Sequence, residues 1–307
     1  MKSRRTFLKQ SGAASGLLIL GSFPFSSLAK QEVINVTILH TNDTQSQIEP
    51  FGAGVPKFEG MGGIQARADL IKKIRAEQEH VLLFDSGDYF QGNPNFDAFG
   101  GELEIKAMNL MGYDAAGVGT HEFDGGIENF TKQVSKADFP IVCSNYDVTK
   151  TSLSNAILPY SIIIKAGIKF GVLGVGAKLK DVLSGDIADQ IDYLDPIKKA
   201  NETALHLKNK ENCDFIICLS QLGLSNFNSN SINDKSLAKE SENIDLIIGG
   251  NSHTLLQKPL KYFNKKKSEV LIVQAGWGGT HLGRINYAFS AKKNILSSNA
   301  QTVEIAK

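Results

Sequence analysis

Cysteine is scarce in this 307-residue chain, with three residues in an odd set at positions 143, 213 and 218. That count argues against a scaffold built on disulfides. Cys143 and Cys218 lie inside apolar, strand-like runs, where a thiol behaves as a small hydrophobe. Cys213 could reach Cys218 only if loop and strand bent back on each other. Long apolar runs are missing as well. Beyond residue 29 no stretch reaches the roughly 18 uninterrupted apolar residues that a membrane helix needs, so no membrane association is expected once that first segment is removed. Excess charge is the third absence, with 33 Lys and Arg against 32 Asp and Glu. The chain offers no basic surplus for a nucleic-acid polymer or an anionic membrane. It has no internal repeat and no low-complexity tract.

The amino terminus does carry a clear pattern. Ser3-Arg4-Arg5-Thr6-Phe7-Leu8-Lys9 leads into an apolar run through Leu17, Leu18, Ile19 and Leu20, and Ser27-Leu28-Ala29 fits a small-residue cleavage site. Residues 1–29 are read as an export signal of the twin-arginine type, and the protein as exported to the periplasm or another extracytoplasmic compartment. Lys2, Arg4, Arg5 and Lys9 are the only charges in that segment, so removing it takes the formal +1 to about −3. Residues 30–307 are enough for one large α/β domain.

From Val33 onward short β-rich runs alternate with helical segments, the pattern of sheets covered by helices. Strands are expected over 33–40, 81–84, 115–118 and 141–144, each delivering polar residues at its end. Helices are expected over 62–78, with Ile64, Ala68, Leu70, Ile71 and Ile74 inward, over 102–111, closed by Gly112, and over 196–209, where Asp195 caps and Pro196 takes the first position. Residues 160–164 and 169–175 read as a hairpin about Ala166-Gly167, which implies a second sheet or an antiparallel edge. Strands follow at 215–219 and 246–248. Residues 270–274 are expected to pair with 283–289 across Gly276-Trp277-Gly278-Gly279, read as a tight turn before the last strand. The polar stretches 225–234 and 264–268 are expected to be solvated loops.

Acids and histidines recur at these strand ends: Asp43, Asp88, His121 with Asp124, and His253 with Asp245 nearby. Strand ends are where open α/β sheets build sites. Gly119 lets the backbone turn sharply after the third strand, and His121, Glu122 and Asp124 are expected to project from that loop. Taken singly, Asp43 reads as a turn or cap residue, Asp88 as a loop residue and His253 as a hydrogen-bonded loop histidine. His40 is expected to bond within its loop, and His80 and His206 to be solvated beside charged helix ends. His281 has no place in the pattern.

The order of the blocks changes that reading. Leu-His-Thr-Asn-Asp (39–43), Gly-Asp-Tyr-Phe-Gln-Gly (87–92), Gly-x-His-Glu-Phe-Asp (119–124), Cys-Leu-Ser-x-Leu-Gly (218–223) and Asp-Leu-Ile-Ile-Gly-Gly-x-Ser-His-Thr (245–254) together resemble the calcineurin-like metallophosphoesterases. The likeness is to the catalytic domain of the 5'-nucleotidase branch, over residues 34–288. It implies an α/β fold, an αββα sandwich of two packed mixed sheets flanked by helices, with a dinuclear metal site at the strand ends. In the family a carboxylate bridges two divalent ions that polarise the phosphoryl group and activate a water. The bridge matches Asp88. One ion would be held by Asp43, residue 45, Asp88 and His253, the other by Asp88 and residues 120, 221 and 251. The family's His-Asp dyad matches His121 and Asp124.

Four of those positions depart from the family, which has His, Asn, His and His where this chain has Gln45, Thr120, Gln221 and Asn251. The first site is expected to keep Asp43, Asp88 and His253 and to gain the amide oxygen of Gln45; the second is expected to be empty. The cofactor is thus one divalent ion at most (Mg, Mn, Ca or Zn), or none. The replacements are neutral, polar and of compatible size, so the pocket should form without unpaired buried charge. Losing one side of the metal clamp costs several kcal/mol, on the order of 10³-fold in rate. Two functions fit. One is an exported 5'-nucleotidase-like metallophosphoesterase that hydrolyses small phosphomonoesters or nucleotides weakly with one metal. The other is a non-catalytic pseudoenzyme that binds a ligand or partner through the degenerate site. Residues 30–307 are expected to be a single domain without the carboxy-terminal nucleotide-binding domain of that branch, so that either a separate protein supplies it or no base is recognised.

Overall fold

The central strands are apolar on both faces, and successive side chains along them go to opposite sides, which gives three separate apolar layers. The computed structural model describes residues 33–306 except 92, 184 and 225–231. The export signal read in 1–29 and most of the loop expected at 225–234 lie outside the described residues. In chain order the first strands and helices are β1 (Val33–Thr41), α1 (Ile64–Glu77), β2 (Val81–Asp85), α2 (Pro94–Phe99), α3 (Glu102–Met111), β3 (Ala115–Ala116), α4 (Ile127–Val134), β4 (Ile141–Val142), β5 (Tyr146–Asp147) and β6 (Ile157–Leu158). Then come β7 (Tyr160–Lys165), β8 (Ile168–Val175), α5 (Gly185–Ala188), β9 (Asp192–Tyr193), α6 (Pro196–Asn209), β10 (Phe215–Ser220), α7 (Asp234–Glu240), β11 (Leu246–Gly249), β12 (Leu260–Phe263), β13 (Glu269–Val273), β14 (His281–Ser290) and β15 (Ile295–Glu304).

Two mixed sheets result. One has seven strands in the order β15-β14-β1-β2-β3-β4-β6, and the other six in the order β12-β13-β11-β10-β8-β7. The central strands run parallel; the six-stranded sheet is antiparallel at both margins and the seven-stranded sheet only at its β14–β15 margin, β6 being parallel to β4. Between the sheets lie Val36, Ile38, Leu82 and Phe84 from one and Phe170, Phe215, Ile217 and Leu246 from the other. The alternate residues of the same strands face helices: Leu39 and Leu83 pack with Ile71, Ile105 and Phe130, and Ile216, Cys218 and Ile247 with Ala204, Leu207 and Leu237. This is the αββα sandwich.

Local signals in the sequence place the helices. Asp195 accepts from the backbone of Lys198 at the start of α6, with Pro196 in its first turn, and α3 stops where Gly112 adopts φ 66°. Residues 160–165 and 168–175 form the expected hairpin. All three cysteines are free and buried.

Several expectations need correction. Residues 270–274 do not pair with 283–289. β13 pairs with β11 and β12 in one sheet, while β14 pairs with β1 and β15 in the other. Leu271 and Val273 face Ile285, Tyr287 and Phe289 across the inter-sheet core, so the glycine loop is a crossover between sheets. β14 is followed by β15, whose side chains are mostly exposed and carry too little apolar alternation to announce a strand. Asp234 opens α7 and is buried. Asn264 is buried and caps a hairpin turn, accepting from the backbone of Lys266 and Ser268. The third strand is shorter than expected, ending at Ala116.

His40 makes no loop bond. It is buried opposite Gly283, where a Cβ would fall 1.9 Å from its Nε2, and burial lowers its pKa to about 3. Its Nδ1 has no partner. His80 and His206 lie beside Glu79 and Glu211, as expected.

Candidate functional site

Parallel strands point their carboxyl ends the same way, so β1, β2, β3, β10 and β11 deliver their following loops to one edge of the sandwich. Those loops hold six of the eleven non-glycine residues with positive φ among the described residues. Asp43, Gln45, Ser46, Asp88, Asn251 and His253 all hold positive φ, between 47° and 68°, a region where a side chain costs on the order of 1 kcal/mol or more per residue. Strain of this kind persists only where the surroundings hold it, and it clusters at functional sites.

The loops of the two sheets meet on Asp43, which is wholly buried. Asn42 Nδ2 donates to its Oδ2 at 2.7 Å, and its Oδ1 accepts the Asn251 backbone N–H at 2.9 Å and Gln221 Nε2 at 3.3 Å. His253 Nε2 stands 4.0 Å from the same oxygen. Burial, then the charge of Asp88 beside it, pushes the Asp43 carboxyl well above the ordinary range, and the three N–H donors offset part of that. Ser86 Oγ ties the same edges together by donating to Gly249 O at 3.0 Å.

Asp88 is buried and raised in the same way, against which His121 and the backbone N–H groups of His121 and Thr120 hold it down. Its Oδ1 accepts the His121 N–H at 2.9 Å. Gly119 allows this approach: a Cβ there would lie 2.1 Å from that oxygen. Thr120 is buried at the start of the turn over His121–Phe123 and makes no capping bond. His121 Nδ1 meets Asp124 Oδ2 at 3.0 Å, with both side chains about a quarter exposed. That bond, more than the charges around it, raises the imidazole pKa to about 9.

Glu122 does not project from the loop. It is buried, and its carboxylate accepts the backbone N–H groups of Asp88, Tyr89, Phe90 and Gly119 at 2.5 to 3.3 Å. It therefore fixes both loops that carry Asp88 and His121. The acid in His-Glu-Phe-Asp was visible in sequence, but its inward direction follows from the single helical turn it sits on. Asn42 was also missed as a staple; besides Asp43 it donates to Gly276 O at 2.8 Å and accepts from Ala275 N at 2.7 Å.

Asp245 does not join the site. It precedes β11, at the other end of that strand, and accepts from Ile216 N at 2.8 Å. His281 bonds Thr280 at 3.0 Å and pairs with Glu304 across β14 and β15. The glycine loop does reach the site. Gly278 N donates to Asp43 O at 2.8 Å, Trp277 stacks on His253 with ring centroids 5.8 Å apart, and the Trp277 indole N–H donates to Gln45 Oε1.

These contacts bear on the expected ions. The Gln45 oxygen is taken by Trp277, while its Nε2 lies 3.4 Å from His253 Nε2. Asn251 Nδ2 donates to Gln221 O at 3.0 Å, and Gln221 turns its own Nε2 toward Asp43. Gln45 and Gln221 thus direct N–H groups at His253 and Asp43, where a cation needs a lone pair. Among the described residues no three His, Cys, Asp or Glu side chains form a group that could hold a metal ion. The residues present do not fit the family's pair of ions.

Comparison with known proteins gives a consistent result. The family Calcineurin-like phosphoesterase matches residues 36–255. The chain is 31% identical over 318 residues to a snake venom 5'-nucleotidase of Gloydius brevicauda, covering 95% of this chain and 52% of that protein. It is 32% identical over 308 residues to a 5'-nucleotidase of Vibrio cholerae, covering 92% and 54%. The crystal structure of a 5'-nucleotidase precursor from Thermus thermophilus superposes with a TM-score of 0.81 at 27% identity, over 89% of this chain and 55% of that one. The chain thus spans about half the length of these relatives. With five ordered blocks, an αββα sandwich and a family match over most of its length, this chain belongs to the calcineurin-like phosphoesterases.

Proposed function

We propose that this protein is an exported, 5'-nucleotidase-like phosphoesterase that hydrolyses small phosphomonoesters or nucleotides weakly. The observation that carries the reading is the His121–Asp124 pair, bonded at 3.0 Å and partly exposed beside Asp88. An imidazole with a pKa near 9 is cationic at neutral pH. Such a group stabilises the charge that develops on a phosphoryl oxygen or protonates the leaving alkoxide, while Asp124 sets its orientation. Glu122 keeps Asp88 and His121 in register through the backbone of both loops. The cofactor is at most one divalent ion; Asp43, Asp88 and His253 are the acid and histidine positions left that would hold it, although they do not form a metal-holding group as they stand here. The substrate class follows the relatives' names, and export follows the amino-terminal pattern.

A second reading, a pseudoenzyme that binds a ligand or partner, is favoured by one observation: Gln45, Gln221 and Asn251 are bonded to other parts of the site. Metal analysis of the purified protein and a phosphatase assay on a panel of nucleotides and generic esters in added Mn²⁺ separate the two. Weak turnover that disappears in Asp88→Asn supports hydrolysis. No turnover with no bound metal supports the pseudoenzyme.

A further inference from the structure

Position 45 departs from the family in a way that has a visible structural cause. An indole N–H can only donate, so its partner on Gln45 must be the carbonyl oxygen, and the amide orientation is settled by chemistry. With Oε1 held by Trp277, Nε2 faces His253 Nε2 at 3.4 Å. The N–H is therefore directed at the nitrogen whose lone pair an ion would use. Trp277 is itself anchored. Its ring packs 5.1 Å from Phe51 and 5.8 Å from Phe58 and stacks on His253 at an interplanar angle of 26°. The loop cannot move freely, because Gly278 crowds Phe51, where a Cβ would fall 2.5 Å from Cζ, and its N–H is bonded to Asp43 O at 2.8 Å.

We propose that Trp277 is a positioning residue that locks the Gln45 amide with its oxygen turned away from Asp43 and His253, so that position 45 is a hydrogen-bond donor and not a cation ligand. One bond holds the Gln45 oxygen to the indole and turns the Gln45 N–H onto the His253 lone pair. The assignment holds whether or not the site turns over a phosphate ester.

Trp277 is the only tryptophan in the chain, so the emission reports its surroundings alone, the Gln45 bond among them. Gln45→Ala, which removes the indole's acceptor, is expected to shift the emission. The second measurement is calorimetric titration of the purified protein with Mn²⁺. Trp277→Phe keeps an aromatic ring and deletes the N–H; freeing the Gln45 oxygen is expected to tighten Mn²⁺ binding about 10-fold, the scale at which partners behind a ligand act. In a Gln45→Ala background the same change is expected to have no effect. Unchanged emission in Gln45→Ala overturns the proposal. So does a Trp277→Phe variant that binds Mn²⁺ no tighter than the parent, including the case where neither binds, or an equal gain in both backgrounds. Should Trp277→Phe fail to fold, Gln45→Glu answers with Trp277 in place. Its carboxylate keeps one oxygen for the indole and offers the other to the ion, and binding less than several-fold tighter than the parent overturns the lock.

Discussion

A histidine bonded to a carboxylate holds its proton more firmly than a free one, and His121 is the clearest instance here. Its pKa is raised to about 9, so the stabilisation from its bond to Asp124 is complete below the ordinary 6.5 and is lost as pH rises through about 9. Asp124→Asn should let the value fall toward 6.5. The alkaline limb of the phosphatase profile, or the imidazole shift followed by NMR, should move down with it; a titration that stays near pH 9 would show that Asp124 is not the cause. Where turnover is measurable, His121→Ala should lower kcat by about 10²-fold or more. Gly119 makes a steric prediction. A methyl group 2.1 Å from Asp88 Oδ1 cannot be accommodated without displacing that carboxylate, so Gly119→Ala should lose about 1–3 kcal/mol in urea unfolding. These residues were legible in sequence because motif order marks them. Glu122 and Trp277 were not, since their roles depend on which way a loop side chain turns.

Elements differ in how much of themselves the sequence discloses. α6 carries its own start residues in Asp195 and Pro196, α3 its own stop in Gly112, and β7 and β8 their own turn, so all four could be read locally. α7 could not. It is short, and its first-turn Asp234 is buried with one oxygen bonded to Ser220 Oγ at 2.6 Å and the other without a hydrogen-bond partner. Burial raises its pKa to about 7. The folded state therefore holds a proton that the unfolded chain releases near 4, and this group costs stability increasingly as pH rises from about 4 to 7. Asp234→Asn should flatten that dependence, narrowing the gap between urea midpoints at pH 5 and pH 8. An unchanged gap would assign it to other buried acids.

At the scale of the whole molecule, two sheets pressed face to face bring together loops separated by some two hundred residues of chain. The seal between them is aromatic. Phe215 lies 4.9 Å from Tyr287, 5.7 Å from Phe170 and 5.9 Å from Phe289, and Phe215→Ala should cost about 3–5 kcal/mol, measured by thermal or urea unfolding. If the scaffold has kept the family geometry, changing Gln45→His, Thr120→Asn, Gln221→His and Asn251→His together should let the protein bind two Mn²⁺ and raise phosphatase activity on the order of 10³-fold; metal content that does not rise would show that the loops themselves have moved.

By itself the sequence determined the fold class, because short continuous apolar runs alternating with helical segments have few ways to bury both faces of a strand. It also determined which residues stand at the strand ends, because their order along the chain is the family's own. Only the tertiary structure decided that 270–274 and 283–289 belong to different sheets, since two apolar strands joined by a short glycine loop satisfy either arrangement. Only it decided, too, how the amides of Gln45, Gln221 and Asn251 are turned, because the partners that turn them, the Trp277 indole, the Asp43 carboxylate and the Gln221 carbonyl, come from distant parts of the chain.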